Sequence, residues 1–215
     1  MHPDRNRAFQ IFRRASEYVA KAGLADEIRW QRASTLQAFT ESEFLRESAW
    51  VILCSGFRES IVRRMFDQFS LCFCDWESAS SIARNSTVCK RSAAVIFGNR
   101  KKLDAIAAVS HAITTVGFRR FKRLVLLNPI SQLQTLSYIG PVTAWHLAKN
   151  LGMDVAKPDR HLLRVSTLLG FEDVLTFCRE IATKFNEETK VVDLIVWRYL
   201  ADNPLCVRGL EEHYA

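Results

Sequence analysis

An all-α fold is predicted on three grounds. Apolar residues recur at helical spacing in one segment after another, and no strand-like alternation of useful length competes with them. Only 8 Gly and 5 Pro stand among 215 residues, too few for the many tight turns of a sandwich or barrel.

The elements follow in order. Residues 5–22 set Phe9, Phe12, Ala15, Val19 and Ala20 on one side and Arg and Glu on the other, an amphipathic helix stopped by Gly23. Residues 41–53 turn Phe44, Leu45, Ala49, Ile52 and Leu53 inward and break at Ser55-Gly56. A helix restarts near Glu59 with Ile61, Val62, Met65, Phe66 and Phe69 as its stripe. Further short helices are expected over 99–116, 129–137, 142–151, 159–169, 174–185 and 191–202.

Composition limits the function classes. With 48% hydrophobic and 25% charged residues the chain has the proportions of a globular protein, not of a disordered tail or a fibre. The charges in MHPDRNRAFQIFRR are incompatible with a secretory signal, and the apolar run 50–57 is too short to span a bilayer. An intracellular protein is therefore expected, in the cytoplasm or nucleoid of a prokaryote or the nucleus of a eukaryote. The six Cys, at 54, 72, 74, 89, 178 and 206, form no CxxC pair, so reduced thiols packed mostly in the core are expected. Zinc-ligand spacing is absent at His146 and His161, and there is no P-loop, GxGxxG or serine-nucleophile elbow; neither metal nor cofactor is expected.

The net charge of +7 favours a polyanionic partner. Basic residues cluster at Arg63-Arg64, Lys90-Arg91, Arg100-Lys101-Lys102 and along FRRFKR, 118–123. A solvated helix face accounts for any one cluster; together they are also candidates to follow a phosphate backbone along a groove.

The most informative stretch is LQTLSYIGPVTAWHLAKNLG, 133–152. It sets a short helix before Tyr138-Ile139-Gly140 and a second helix after Pro141, where a missing N–H does no harm. Such a turn presents the N–H groups and positive dipole of a helix N-terminus to an anion such as a DNA phosphate. Further along, VAKPDRHLLRV places Asp159 at the entrance of the next helix.

On these residues the chain resembles the helix-hairpin-helix DNA glycosylase superfamily, which includes endonuclease III and the adenine and alkyladenine glycosylases. Their hairpin reads roughly Leu-Pro-Gly-apolar-Gly-x-x-Thr-Ala, against Leu136-Ser137-Tyr138-Ile139-Gly140-Pro141-Val142-Thr143-Ala144 here. An essential Asp follows the family hairpin at nearly the distance of Asp159, and an apolar-basic helix like HLLRV follows that Asp. The match is specific over about 132–169 and loose over 43–131. It departs at Tyr138, which replaces the first hairpin Gly, and at Val142, which stands where bifunctional members carry a Schiff-base Lys. Only Cys178 and Cys206 follow residue 169, so the iron–sulfur loop of endonuclease III cannot be built.

The resemblance implies two helical lobes with a DNA-binding cleft between them. A central lobe over 43–155 would hold the hairpin at about 131–151, and 1–42 with 156–215 would form the second. It implies a monomeric, monofunctional glycosylase of base-excision repair acting on double-stranded DNA, with alkylated purines the first expectation and oxidised, deaminated or hypermodified bases open.

Asp159 is the expected catalytic residue: a carboxylate beside the sugar stabilises the positive charge of glycosidic cleavage and orients water. An N-cap role explains the same residue, and the two coexist in one side chain. Tyr138, Gly140, Val142 and Thr143 are the expected hairpin contacts to DNA, joined by Arg160. Phe57 and Arg58 stand where the family carries the loop that plugs the hole left by an extruded base; a helix break with Phe57 packed inward is the competing reading. Trp50, Trp145 and Trp197, with Tyr138, are candidates to stack on that base or, equally, to pack in the core. Lys157 is a candidate amine nucleophile that would confer lyase activity, or a phosphate contact. Asp193, flanked by apolar residues, is a second acid to test, or a buried tie between helices. The rival from another class is a non-catalytic, structure-specific DNA-binding protein in which Asp159 only caps.

Overall fold

A computed structural model describes residues 3–204, and among them the fold is helical throughout, without a strand. Thirteen α-helices follow in order: α1 (Arg5–Lys21), α2 (Ala25–Ala33), α3 (Glu41–Cys54), α4 (Glu59–Cys72), α5 (Ala79–Arg84), α6 (Ser86–Ile96), α7 (Arg100–Val116), α8 (Phe118–Leu127), α9 (Pro129–Leu133), α10 (Pro141–Asn150), α11 (Arg160–Leu168), α12 (Val174–Phe185) and α13 (Thr189–Asp202). They divide into two compact units, one formed by 1–34 with 152–215 and the other by 35–151.

In the first unit α1 and α13 pack along each other, and α2, α11 and α12 complete the bundle. Ala8, Ile11, Phe12, Ala15 and Val19 of α1 are buried with Leu162 and Val165 of α11, Phe177 and Ile181 of α12, and Val191, Val192, Ile195, Val196 and Leu200 of α13. Each large aliphatic side chain withdrawn from water stabilises the unit by about 1.5–3 kcal/mol. Ala20, expected on the apolar stripe, is exposed. Past α1 the chain turns at Gly23, whose φ of +73° suits a residue without Cβ, and Leu24 N–H donates to Val19 O at 3.3 Å. Buried polar groups tie the helices: Arg198 donates to both oxygens of Glu27 at 2.9 and 2.7 Å, and Lys190 Nζ donates to Ser34 O at 2.6 Å.

In the second unit α3 is the central helix, packed on α4, α7 and α10. A capping box of Thr40 and Glu43 starts it, and Phe44, Leu45, Ala49, Ile52 and Leu53 point into the core. On α4, Val62, Phe66 and Phe69 are buried, whereas Ile61 is 41% exposed and Met65 half-buried, a narrower stripe than expected. Phe73 and Trp76 stack at 5.5 Å beyond it.

The units change over at 34/35 and 151/152, not at 42/43 and 155/156. Phe39 is the reason at the first boundary: it is buried 6.1 Å from Phe44 and 6.0 Å from Phe118, and Lys122 Nζ donates to its carbonyl at 2.7 Å. At the second, Asp154 Oδ1 accepts from Lys190 N–H at 3.0 Å, and Val155 and Ala156 are buried.

Helices α2, α5, α6 and α8 add to the expected set. The helix expected over 129–137 is shorter, because α9 ends at Leu133 and the chain leaves through turns. Thiols are less buried than expected: Cys89 and Cys178 are buried, while Cys54, Cys72 and Cys74 are half-buried and Cys206 lies outside the described residues. Cys74 Sγ stands 4.0 Å from Cys89 Sγ, and burial pushes the Cys89 thiol up to about 11.

Candidate functional site

The hairpin lies in the second unit and is built by a turn and a helix start. In the turn over 136–139, Ile139 N–H donates to Leu136 O at 3.2 Å, and Tyr138 occupies the third position with φ +68°. Glycine is the usual residue at such a backbone angle, so the departure from the family motif falls on the residue carrying the strain. Ile139 is buried and anchors the turn; Tyr138 is 42% exposed. Gly140 then serves as N-cap in extended conformation, Pro141 opens α10, and no side chain caps the first turn. Val142 is exposed, Thr143 half-buried.

A second turn belongs to the same unit. Ser55 has φ −62° and ψ 111°, Gly56 has φ +73°, and Phe57 N–H donates to Cys54 O at 3.1 Å, a type II turn that selects Gly at its third position. Phe57 is 43% exposed with its ring 5.1 Å from that of the buried Phe97, and Arg58 is exposed at the start of α4.

The residue joining the two turns escaped the sequence reading. Lys102, read with Arg100 and Lys101 as a basic cluster on a solvated helix face or a candidate phosphate contact, is 1% exposed. Its Nζ donates to Leu53 O at 2.7 Å and Ser55 O at 2.5 Å. The same nitrogen lies 4.3 Å from the Phe57 ring centroid and 5.8 Å from those of Phe97 and Tyr138. Burial lowers its pKa to about 8, with Cys54 opposing the shift. One signal was present in the sequence: Lys102 shares the inward stripe of α7 with Leu103, Ile106 and Ile113.

The other basic clusters are partly neutralised at home. Arg63 pairs with Glu59 and lies over the Trp50 ring at 5.4 Å; Lys90 pairs with Asp104 at 2.8 Å. Arg119, Arg120 and Arg123 of α8 are exposed.

Asp159 lies in the first unit as the N-cap of α11. Its Oδ1 accepts from His161 N–H at 2.9 Å and Leu162 N–H at 3.1 Å, while Oδ2 takes part in neither bond. The side chain is half-buried, fixed in orientation by the backbone it caps. Beside it, burial lowers the His161 pKa, opposed by Asp159 and reinforced by Arg160, Lys157 and Arg164. Arg160 is exposed and its Nε donates to His161 Nε2 at 3.4 Å, which requires that ring nitrogen unprotonated. Asp193 is buried on α13, and its Oδ2 accepts from the backbone N–H of Lys157 at 2.6 Å. That bond fixes the segment delivering Lys157, Pro158 and Asp159 to the start of α11. Lys157 itself is half-buried.

The tryptophans fall in both units, Trp50 and Trp145 in the second and Trp197 in the first. Trp50 is half-buried edge-on against Phe66 at 4.9 Å, Trp145 is half-buried on α10, and Trp197 packs at the margin of the first unit's core with the Arg198 guanidinium 4.8 Å from its ring centroid. Two depressions in the first unit, one lined by Arg5, Phe9 and Lys184 and the other by Asp154, Asn186 and Glu187, contain none of the expected catalytic or DNA-contacting residues. Among the described residues no group of three or more His, Cys, Asp or Glu is arranged to hold a metal ion, and no helix is long and apolar enough to cross a membrane. Compared with protein families, curated proteins and solved structures, the chain matches none.

Proposed function

We propose that the protein is a monofunctional DNA glycosylase acting on double-stranded DNA that contains a damaged or modified base, with alkylated purines the first substrate class. The observation that carries this reading is the conformation of 136–144. The segment with the glycosylase-like motif forms a left-handed turn at Tyr138, followed by a helix opening at Pro141 with no side-chain cap on its first N–H groups. Those N–H groups and the helix dipole are the means by which a phosphate is held without sequence readout. In this reading the DNA-binding cleft between the two lobes, expected from the resemblance, receives the duplex.

Asp159 supplies the chemistry. Glycosidic cleavage builds positive charge on the deoxyribose, and a carboxylate pinned through Oδ1 keeps Oδ2 for that charge or for the attacking water. The extruded base leaves a gap for Phe57 to fill, with Arg58 on the phosphate beside it. Val142 in place of the hairpin Lys makes water the nucleophile; Lys157 is the alternative amine, and its trapping on DNA by borohydride would convert the reading to a glycosylase with lyase activity. The two cap bonds of Asp159 serve a non-catalytic DNA-binding protein equally well, which makes that the second reading.

Incubating the pure protein with duplexes each bearing one lesion, analysed with and without alkali, tests the proposal. Strand breaks that require alkali are expected on at least one lesion. Binding without breaks across alkylated, oxidised and deaminated bases supports the non-catalytic reading instead.

A further inference from the structure

We propose that Lys102 is a positioning residue for DNA engagement: it clasps the Ser55–Phe57 turn to the Tyr138 turn, so that the plug residue and the hairpin meet the duplex as one rigid edge. The inference rests on the DNA-binding part of the proposed function and is independent of base release.

A lysine ammonium withdrawn from water is costly unless its donors and charge are satisfied. Here two donors go to Leu53 O and Ser55 O, and the charge is faced by the rings of Phe57, Phe97 and Tyr138. A methionine or leucine at position 102 fills similar space without that cost. What the ammonium adds is direction: it fixes the carbonyls of Leu53 in the last turn of α3 and of Ser55 in the Gly56 turn, and gives Phe57 and Tyr138 a common point of attachment. Both of those rings remain more than two-fifths exposed, at 43% and 42%, although they come from distant parts of the chain. Two outward aromatic residues on one buried cation form a stacking edge for an unpaired base or a gap in the stack. Exposed Arg58 follows the Gly56 turn at the start of α4, exposed Arg100 and Lys101 open α7 beside Lys102, and their charge suits a phosphate backbone.

The test compares affinities for two labelled duplexes of one sequence, one intact and one with a stable abasic analogue, for wild type, Lys102→Met, Phe57→Leu, Tyr138→Leu and the Phe57→Leu/Tyr138→Leu double variant. Circular dichroism reports folding. Wild type is expected to prefer the abasic duplex, and Lys102→Met to reduce that preference about tenfold, the worth of one base–aromatic stack. A fold defect alone lowers both affinities and leaves their ratio unchanged, so a folded Lys102→Met with the wild-type ratio overturns the clasp while DNA binding stands. If Lys102→Met does not fold, the exposed pair decides. Effects of Phe57→Leu and Tyr138→Leu on the ratio that are not additive in the double variant support the clasp, and additive effects overturn it. Wild type without affinity for either duplex overturns this inference and the DNA reading together, whereas preference for the abasic duplex without base release in any substrate overturns the glycosylase reading alone.

Discussion

Tyr138 is a bulky L-residue at φ +68°, a conformation that costs such residues about 1–2 kcal/mol and that glycine adopts freely. Glycine loses about 0.5–1 kcal/mol more backbone entropy on folding than alanine, so Tyr138→Gly is expected to be at least as stable as Tyr138→Ala, and more stable by up to about 1.5 kcal/mol. Urea unfolding measures the difference, and an alanine variant more stable than the glycine variant contradicts the strain argument. Lys102 gives a pH signature. Its pKa falls from 10.5 to about 8 on folding, so between those values the unfolded chain binds more protons and stability rises with pH. At about 1.4 kcal/mol per unit the rise totals about 3 kcal/mol. The stability of wild type relative to Lys102→Met is expected to climb from pH 8 to 10.5 and to be flat below pH 8; a flat difference throughout contradicts the burial of a charged amine. The Tyr138 turn was legible in the sequence from Gly140-Pro141, but the role of Lys102 was not. Its burial depends on carbonyls contributed by another helix, and one more Lys beside Arg100 and Lys101 looks like a solvated charge run.

Among the elements, α3 and α10 meet through a buried polar pair: Asn150 Nδ2 donates to Glu47 Oε2 at 2.9 Å, and Arg46 donates to Oε1 at 2.9 Å. Burial raises the Glu47 pKa above its usual 4.5, with Arg46 and Asn150 opposing the shift. A raised carboxylate favours folding at low pH and loses that contribution as pH rises through the folded value. Glu47→Gln, which resembles the protonated form and still accepts from Asn150, is therefore expected to melt above wild type at neutral pH, with the gap narrowing towards pH 4.5. Thermal melts across that range check it, and a gap that widens in acid contradicts the assignment. Helices such as α1, α4 and α12 were legible because burial repeats along one face, and α3 and α13, buried on most sides, through their apolar runs. Of the four helices not expected, α8 was masked by its density of Arg and Lys, and α5 and α6 by Ser-rich capping segments around 78–87 that read equally as loop.

For the whole molecule, the all-helical class followed from periodicity and sparse Gly and Pro, but the division into units did not follow from helix spacing. The first unit combines an N-terminal and a C-terminal segment, and contacts such as Phe39 on Phe44 and Lys190 N–H on Asp154 near its boundaries are announced by no local pattern. The Asp159 site was legible as Asp before an amphipathic helix, and the same pattern describes an ordinary N-cap, so sequence alone leaves both roles in place. Only chemistry separates them. Asp159→Asn retains an oxygen for the caps to His161 and Leu162 and removes the charge. The decisive measurement is therefore single-turnover base release by wild type and Asp159→Asn on a lesion duplex that wild type cleaves, with duplex affinity and melting temperature measured alongside. The account predicts a rate at least about 100-fold lower for Asp159→Asn, with affinity and melting close to wild type. A folded Asp159→Asn that binds the duplex and releases the base at the wild-type rate would contradict it.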